Sequence, residues 1–123
     1  MSRSGCERNA ATLPRVPRAV ARTRVVRVVV RFRAGPTWTS GAPDDQPGWD
    51  DHAAFVDELV ARGTMVMGGP FSDHSGSLIV LENLVEDEAR ELVARDPFVV
   101  NGVFVLEDVH AWNVYVDELT PGI

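Results

Sequence analysis

The chain has 123 residues, 45% of them hydrophobic, and a net charge of −6. That is enough for one packed domain and too little for two. No apolar run approaches the ~18 residues of a membrane span, and the single cysteine, Cys6, has neither an intrachain partner nor a CxxC or Cys/His metal spacing around it.

The charge is unevenly spread. Residues 1–33 carry nine Arg against Glu7 alone, a charge of +8, while residues 34–123 carry three Arg against 17 acids, a charge of −14. Nothing in the acidic body neutralises phosphates, so no nucleic-acid partner is expected, and no membrane is expected either. The absence of cysteine pairs fits a reducing, cytoplasmic setting. The Arg-rich head, residues 1–24, holds two prolines among scattered small residues and cannot build a core. It reads as a disordered extension or an upstream start codon, with a charged arm for nucleic acid or membrane as the alternative. It lacks the continuous apolar segment of a secretory signal. The expected domain is residues 25–119, with 120–123 as a tail.

VVRVVVRF, Val25 to Phe32, is β-branched and reads as a buried strand. A loop over 34–49, AGPTWTSGAPDDQPGW, follows; loops of this length are often functional, and Trp38 and Trp49 bracket it. A helix is expected from about Asp50 to Arg62, capped by Asp50 or Asp51 and ended by Gly63. Its apolar stripe is Phe55, Val56, Leu59 and Val60, and His52 lies three, four and seven positions before the first three of these, on the same face. A second strand runs from Thr64 to about Gly68 and stops at Gly-Gly-Pro. After the turn FSDHSG, SLIVLEN from Ser77 to Asn83 is a third strand, close enough to the second for a hairpin. A second helix spans roughly Glu86 to Arg95, with acids crowding its first turn, Ala89, Leu92 and Val93 facing inward, and Pro97 stopping it at Asp96. The last extended region, VFVLEDVHAWNVYVDEL, is long for one strand, so a break is expected near Asp108 or His110.

The order β-α-β-β-α-β, with extra strand at the end, is the ferredoxin-like arrangement: an antiparallel sheet with both helices on one face, class α+β. The other face, carrying Val-Val-Val and Leu-Ile-Val-Leu, would be left uncovered, and a second copy is the economical cover. A homodimer is expected.

Two titratable groups stand at the ends of the helical layer, His52 opening the first helix and Asp96 closing the second. Spacing alone does not bring them together. If they meet, the carboxylate orients the imidazole and the pair can move a proton; a buried histidine bonded to a carboxylate for structural reasons fits the residues as well. Gly69 and Pro70 supply backbone that a ligand can approach closely, and Trp38, Trp49 and Phe71 are candidate walls of an apolar pocket. The glycines match neither GxxxxGK[ST] nor GxGxxG. His74 sits in a polar turn and His110 in the terminal strand; no HxH or HExxH occurs, so no metal site is expected. No serine has a GxSxG setting, which disfavours a nucleophilic hydrolase.

GPTW, WDDHAAFVDELVARGTMVMGGP, SLIVLE, DEARELVARDPF and a terminal V-x-A-W resemble, in this order, the YCII-related (YciI-like) family over about residues 25–117. The resemblance implies a ferredoxin-like dimeric α/β barrel. It implies a His–Asp pair at His52 and Asp96, and lyase-like or other proton-transfer chemistry on a small organic molecule. It departs from the family at His110-Ala111, where a proline usually precedes the Trp region.

The expectation is therefore a small cofactor-independent enzyme of lyase or isomerase type. His52 and Asp96 are the candidate catalytic pair. Trp38, Trp49, Gly69, Pro70 and Phe71 are the candidate substrate-binding residues, for a small, cyclic or phenolic molecule. The alternative is a non-catalytic dimeric module that binds a small ligand or a partner.

Overall fold

Alternation of buried and open positions along the first strand sets the architecture. A computed structural model describes residues 26–119. The extension 1–24 with Cys6, residue 25 at the expected domain start, and the tail 120–123 lie outside the described residues. Strand β1, Val26–Ala34, sends Val28, Val30 and Phe32 inward, each at most 2% exposed, while Arg27, Val29 and Arg31 face the other way, as a period of two requires. Strand β3, Gly76–Glu82, pairs with it antiparallel. Val28 stands opposite Leu81, Val30 opposite Ile79 and Phe32 opposite Ser77, so one face of the sheet is apolar except at Ser77. Strand β2, Met65–Pro70, pairs antiparallel with the far side of β3, and β4, Phe104–Asn113, lies beside β1. The sheet order is β2-β3-β1-β4, the antiparallel α+β arrangement expected.

Helix α1, Trp49–Ala61, and helix α2, Glu86–Val93, contribute Leu59, Ala89 and Val93 to the same core as Val28, Val30, Phe32 and Leu81. Burying these side chains is the main drive for the assembly. Helix α1 ends in a Schellman motif. Thr64 N donates to Leu59 O (2.9 Å) and Gly63 N to Val60 O (3.0 Å), with Gly63 at φ +74°.

The structure departs from the sequence reading at five places. Helix α1 begins at Trp49, and its N-cap is Gly48 in the left-handed region with no side-chain cap; Asp50 and Asp51 are already inside the first turn, where the helix dipole favours acids. Val60 is 55% exposed, because it turns one step past the stripe that Leu59 closes. β2 does not stop at Gly68 but runs through Gly-Gly-Pro. It is an edge strand, where proline loses no ladder bond, and a bulge between Met65 and Met67 resets its register. After Asp96 comes a further short helix, α3, Pro97–Val100, in a stretch to which the sequence reading assigned no element. β4 is one unbroken strand of 10 residues, without the break expected near Asp108 or His110, and no strand follows it among the described residues.

Val26–Trp112 form one compact unit. Within the described part of the other, residues 113–119, Leu119 N donates to Asp117 Oδ1 at 3.1 Å. None of the helices among the described residues is long and apolar enough to cross a membrane.

Candidate active site

Asp96 carries two jobs on one oxygen. It is the N-cap of α3, with extended backbone, Pro97 in the first helical position and its Oδ1 accepting from Phe98 N at 2.9 Å. This is the cap-then-proline start that a short helix favours. The same Oδ1 accepts from His52 Nδ1 at 2.7 Å. The side chains are 13% exposed for His52 and 6% for Asp96. Against an ionised carboxylate, which only accepts, the proton of this bond belongs to His52 Nδ1. No hydrogen bond to Nε2 occurs among the described residues.

The ring is fixed by aromatic neighbours as well as by the carboxylate. It stacks on Phe98, centroids 3.9 Å apart and planes 7° from parallel, and Phe104 meets it edge-on at 6.0 Å. Trp49, one helical turn earlier, lies tilted at 5.6 Å. Phe98 is fully buried, so the platform under the imidazole is part of the core and cannot swing aside without opening a void.

The ends of α1 and α3 are also tied by the side chain of Asn101. Asn101, which closes α3, donates from Nδ2 to Pro47 O at 3.1 Å and accepts from Val103 N at 3.2 Å. Gly48 stands at φ +87°, and a Cβ there would come 2.7 Å from Asn101 Nδ2. The left-handed backbone, more than contact with the movable end of Asn101, favours glycine here, where α1 starts.

His52 and Asp96 both line a cavity of about 320 Å3 between the sheet and α1, within the size range of small-ligand pockets. The floor is the inner face of the sheet, with Phe32, Ser77 and Ile79, and Phe104 contributes a further wall. On the β2 side Gly68, Gly69 and Pro70 line it without bulk. A Cβ on Gly68 would press on Ile79 Cγ2 at 2.9 Å, whereas none would meet anything within 4 Å at Gly69. Ser77, 6% exposed, donates from Oγ to Gly69 O at 3.0 Å, pinning that stretch.

Of the residues singled out from sequence, His52, Asp96, Trp49, Gly69 and Pro70 all line this cavity. Trp38 and Phe71 are not in its lining. Trp38 stands behind it, stacked on Phe104 at 6.0 Å and 11°, and Phe71 closes the β2–β3 turn, its N donating to Gly76 O at 2.9 Å. His74 is exposed at that turn, with φ +62°, and His110 is exposed, 3.7 Å from Asp108. Among the described residues no group of three His, Cys, Asp or Glu is arranged to hold a metal ion. Sequence reasoning missed Phe98, Phe104 and Asp44 as neighbours of the site. Asp-Pro-Phe carried a readable signal for the first, since Asp before Pro caps a helix as well as ending one; Phe104 and Asp44 arrive only through tertiary packing.

The family model of the YCII-related domain matches residues 26–113. The chain belongs to the YCII-related domain family. Among curated relatives, an uncharacterised Bacillus subtilis (strain 168) protein, YjpA, is 41% identical over 51 residues, 42% of this chain and 60% of that protein; the match thus spans less than two thirds of that relative. Among solved structures, the chain is similar to 5-chloro-2-hydroxyhydroquinone dehydrochlorinase (TftG) from Burkholderia phenoliruptrix AC1100, solved in complex with 2,5-dihydroxybenzoquinone. The TM-score is 0.52 and the identity 24%, covering 70% of this chain and 93% of that one. At that identity the likeness establishes a shared fold, and fold alone does not carry function.

Proposed function

We propose that this YCII-related chain is a small enzyme that moves a proton on a small, cyclic, hydroxylated organic molecule, with His52 as general acid/base and Asp96 as the group that orients it. One observation carries the reading: the imidazole bonded to Asp96 at 2.7 Å belongs to the wall of a ligand-sized cavity. Asp96 holds the proton on Nδ1, and Nε2 takes a proton from a substrate carbon or hydroxyl. For a halogenated hydroquinone the imidazolium returns that proton to the ring carbon bearing the halogen, giving a keto tautomer. Nε2 then takes a second hydroxyl proton, its electron pair forms the quinone carbonyl as halide is expelled, and the imidazolium gives this proton to water, so that one hydrogen halide is lost overall. Asp96 stabilises that imidazolium without taking its proton. No cofactor enters the step. Trp49, Gly69 and Pro70 bound the substrate, with Trp38 and Phe71 supporting the walls from behind. The activity named for the structural neighbour, loss of hydrogen chloride from a hydroxylated ring, is of this class and supports the reading.

The active unit is a homodimer in the cytoplasm. The sheet face away from the helices carries Met67 and Leu78, 54% and 36% exposed, beside the Val29–Val80 pair, and a second copy covers it as in a dimeric α/β barrel. Sedimentation at micromolar concentration tests this; a monomer there would refute it.

Chloride release from 5-chloro-2-hydroxyhydroquinone and related halogenated hydroquinones, under anaerobic conditions, tests the chemistry. His52→Ala is expected to lose at least ~10²-fold in kcat, the size of a general acid/base contribution, and Asp96→Asn to lose less. Equal turnover in wild type and His52→Ala sinks the proposal. The low exposure of both side chains favours a second reading, a ligand-binding module in which the pair is structural. Hydroquinone binding that survives His52→Ala, with no turnover of any halogenated hydroquinone by the wild type, would select it.

A further inference from the structure

The loop over 34–48 is long, yet it is not loose where it meets the cavity. Gln46 is 3% exposed and spends its amide on its own loop. Oε1 accepts from Thr39 N at 2.7 Å and Thr39 Oγ1 at 3.1 Å. Nε2 donates to Thr39 O at 2.8 Å and Ala42 O at 3.2 Å. Both donors and both acceptor sites of the amide are thus filled. A single turn of 3-10 helix, Pro43–Asp45, sits inside this clasp.

The two acids of that turn differ. Asp45 Oδ2 accepts from Ala42 N at 3.2 Å and closes the turn. Asp44 lines the cavity together with Pro43, and no hydrogen bond or ion pair engages its carboxylate among the described residues. Asp96, the other carboxylate of the lining, is bonded to His52. Neither Arg nor Lys lines the cavity among the described residues.

We infer that Asp44, held in place by Gln46, is a specificity-determining residue that selects neutral, hydroxyl-bearing ligands and rejects carboxylates and phosphates. Asp44 is exposed at the cavity rim, where an unpaired carboxylate accepts hydrogen bonds from ligand hydroxyls and repels anions, and no cation in the lining offsets that repulsion. The inference rests on the proposed function for where the ligand sits and not for what happens to it.

The test is binding to the full-length chain of two probes that share a ring, hydroquinone and 4-hydroxybenzoate, followed by the NMR signal of the Trp49 indole. Wild type is expected to bind hydroquinone more tightly. Asp44→Asn is expected to shrink the ratio of the two dissociation constants by about 5-fold, and the wild-type ratio to fall as salt is raised, since exposed charges are screened over ~8 Å at physiological ionic strength. Gln46→Ala, with Asp44 intact, is expected to shrink the ratio by about 2-fold as the turn loosens. A ratio unchanged in Asp44→Asn overturns the inference. So does a wild type that binds both probes equally, or one in which neither probe moves the Trp49 signal. A ratio unchanged in Gln46→Ala overturns the part assigned to that residue. The ratio does not depend on turnover, so loss of the acid/base proposal in His52→Ala kinetics and loss of this inference are separate results.

Discussion

The molecule holds two carboxylate pairs of the same length in opposite settings. His52 Nδ1 meets Asp96 Oδ1 at 2.7 Å beneath the helices, and Arg31 Nη2 meets Asp108 Oδ2 at 2.7 Å on the open face of the sheet. The inner pair is 13% and 6% exposed, the outer 48% and 29%. Distance therefore says little about what a pair is worth. Outside, water and salt screen the attraction and two long side chains lose freedom to make it. Inside, the Asp96 side chain is only 6% exposed, so removing either partner strands a largely buried polar group. The inner pair also rests on a stacked ring and a helix cap, and is fixed by its whole neighbourhood.

Five substitutions sharpen that contrast. The largest effect is expected from Phe98→Ala, which removes the platform under His52: about 3–5 kcal/mol in urea unfolding, the usual range for a fully buried phenylalanine. An effect below about 1 kcal/mol would mean that the platform is not core. Asp96→Ala is next, at about 2–4 kcal/mol, because it takes away a helix cap and a charged acceptor together. Asp96→Asn keeps a capping side chain, so it should recover roughly 1 kcal/mol of that loss. Equal losses in the two variants would show that the cap contributes nothing. Gln46→Ala is expected to cost about 1–2 kcal/mol, since some of the backbone groups it releases regain water; protease sensitivity should rise within 39–46 and nowhere else. The smallest effect belongs to Asp108→Asn on the outer pair. The Arg31 hydrogen bond and charge hold the Asp108 carboxyl below its ordinary range. A carboxyl lowered by folding adds stability above its unfolded pKa of ~3.9 and loses it as pH falls through the lower folded value. The small Tm difference between wild type and Asp108→Asn should therefore be present at pH 7, shrink in high salt and vanish near the acid limit. A difference that grows on acidification would contradict the assignment.

Much of the frame was legible because it rests on periodicity. The first strand, from its β-branched run Val25 to Phe32, and the placing of His52 with Phe55, Val56 and Leu59, from a period of 3.6, need no tertiary contact to be read. What was missed depended on context. Gly-Gly-Pro reads as a break in isolation, but on an edge strand the proline is tolerated and the glycines make room for the cavity. Asp-Pro reads as a helix stop, and it is one; it is equally a helix start, and a helix of four residues leaves no periodic trace. The expected break in β4 came from length alone, and a strand paired with β1 can be longer than average. Within the site, the residues on helix ends and glycine turns could be singled out. Asp44 could not, because its place at the cavity depends on Gln46 folding the loop back on itself, and such an internal clasp has no sequence signature.

One oxygen of Asp96 serves both the first turn of α3 and the imidazole. Fraying of α3 and disassembly of the pair are then a single event. On warming, the site should fail at the temperature where this one short helix lets go. A variant that tightens α3 without touching the cavity would widen the thermal range over which the site persists.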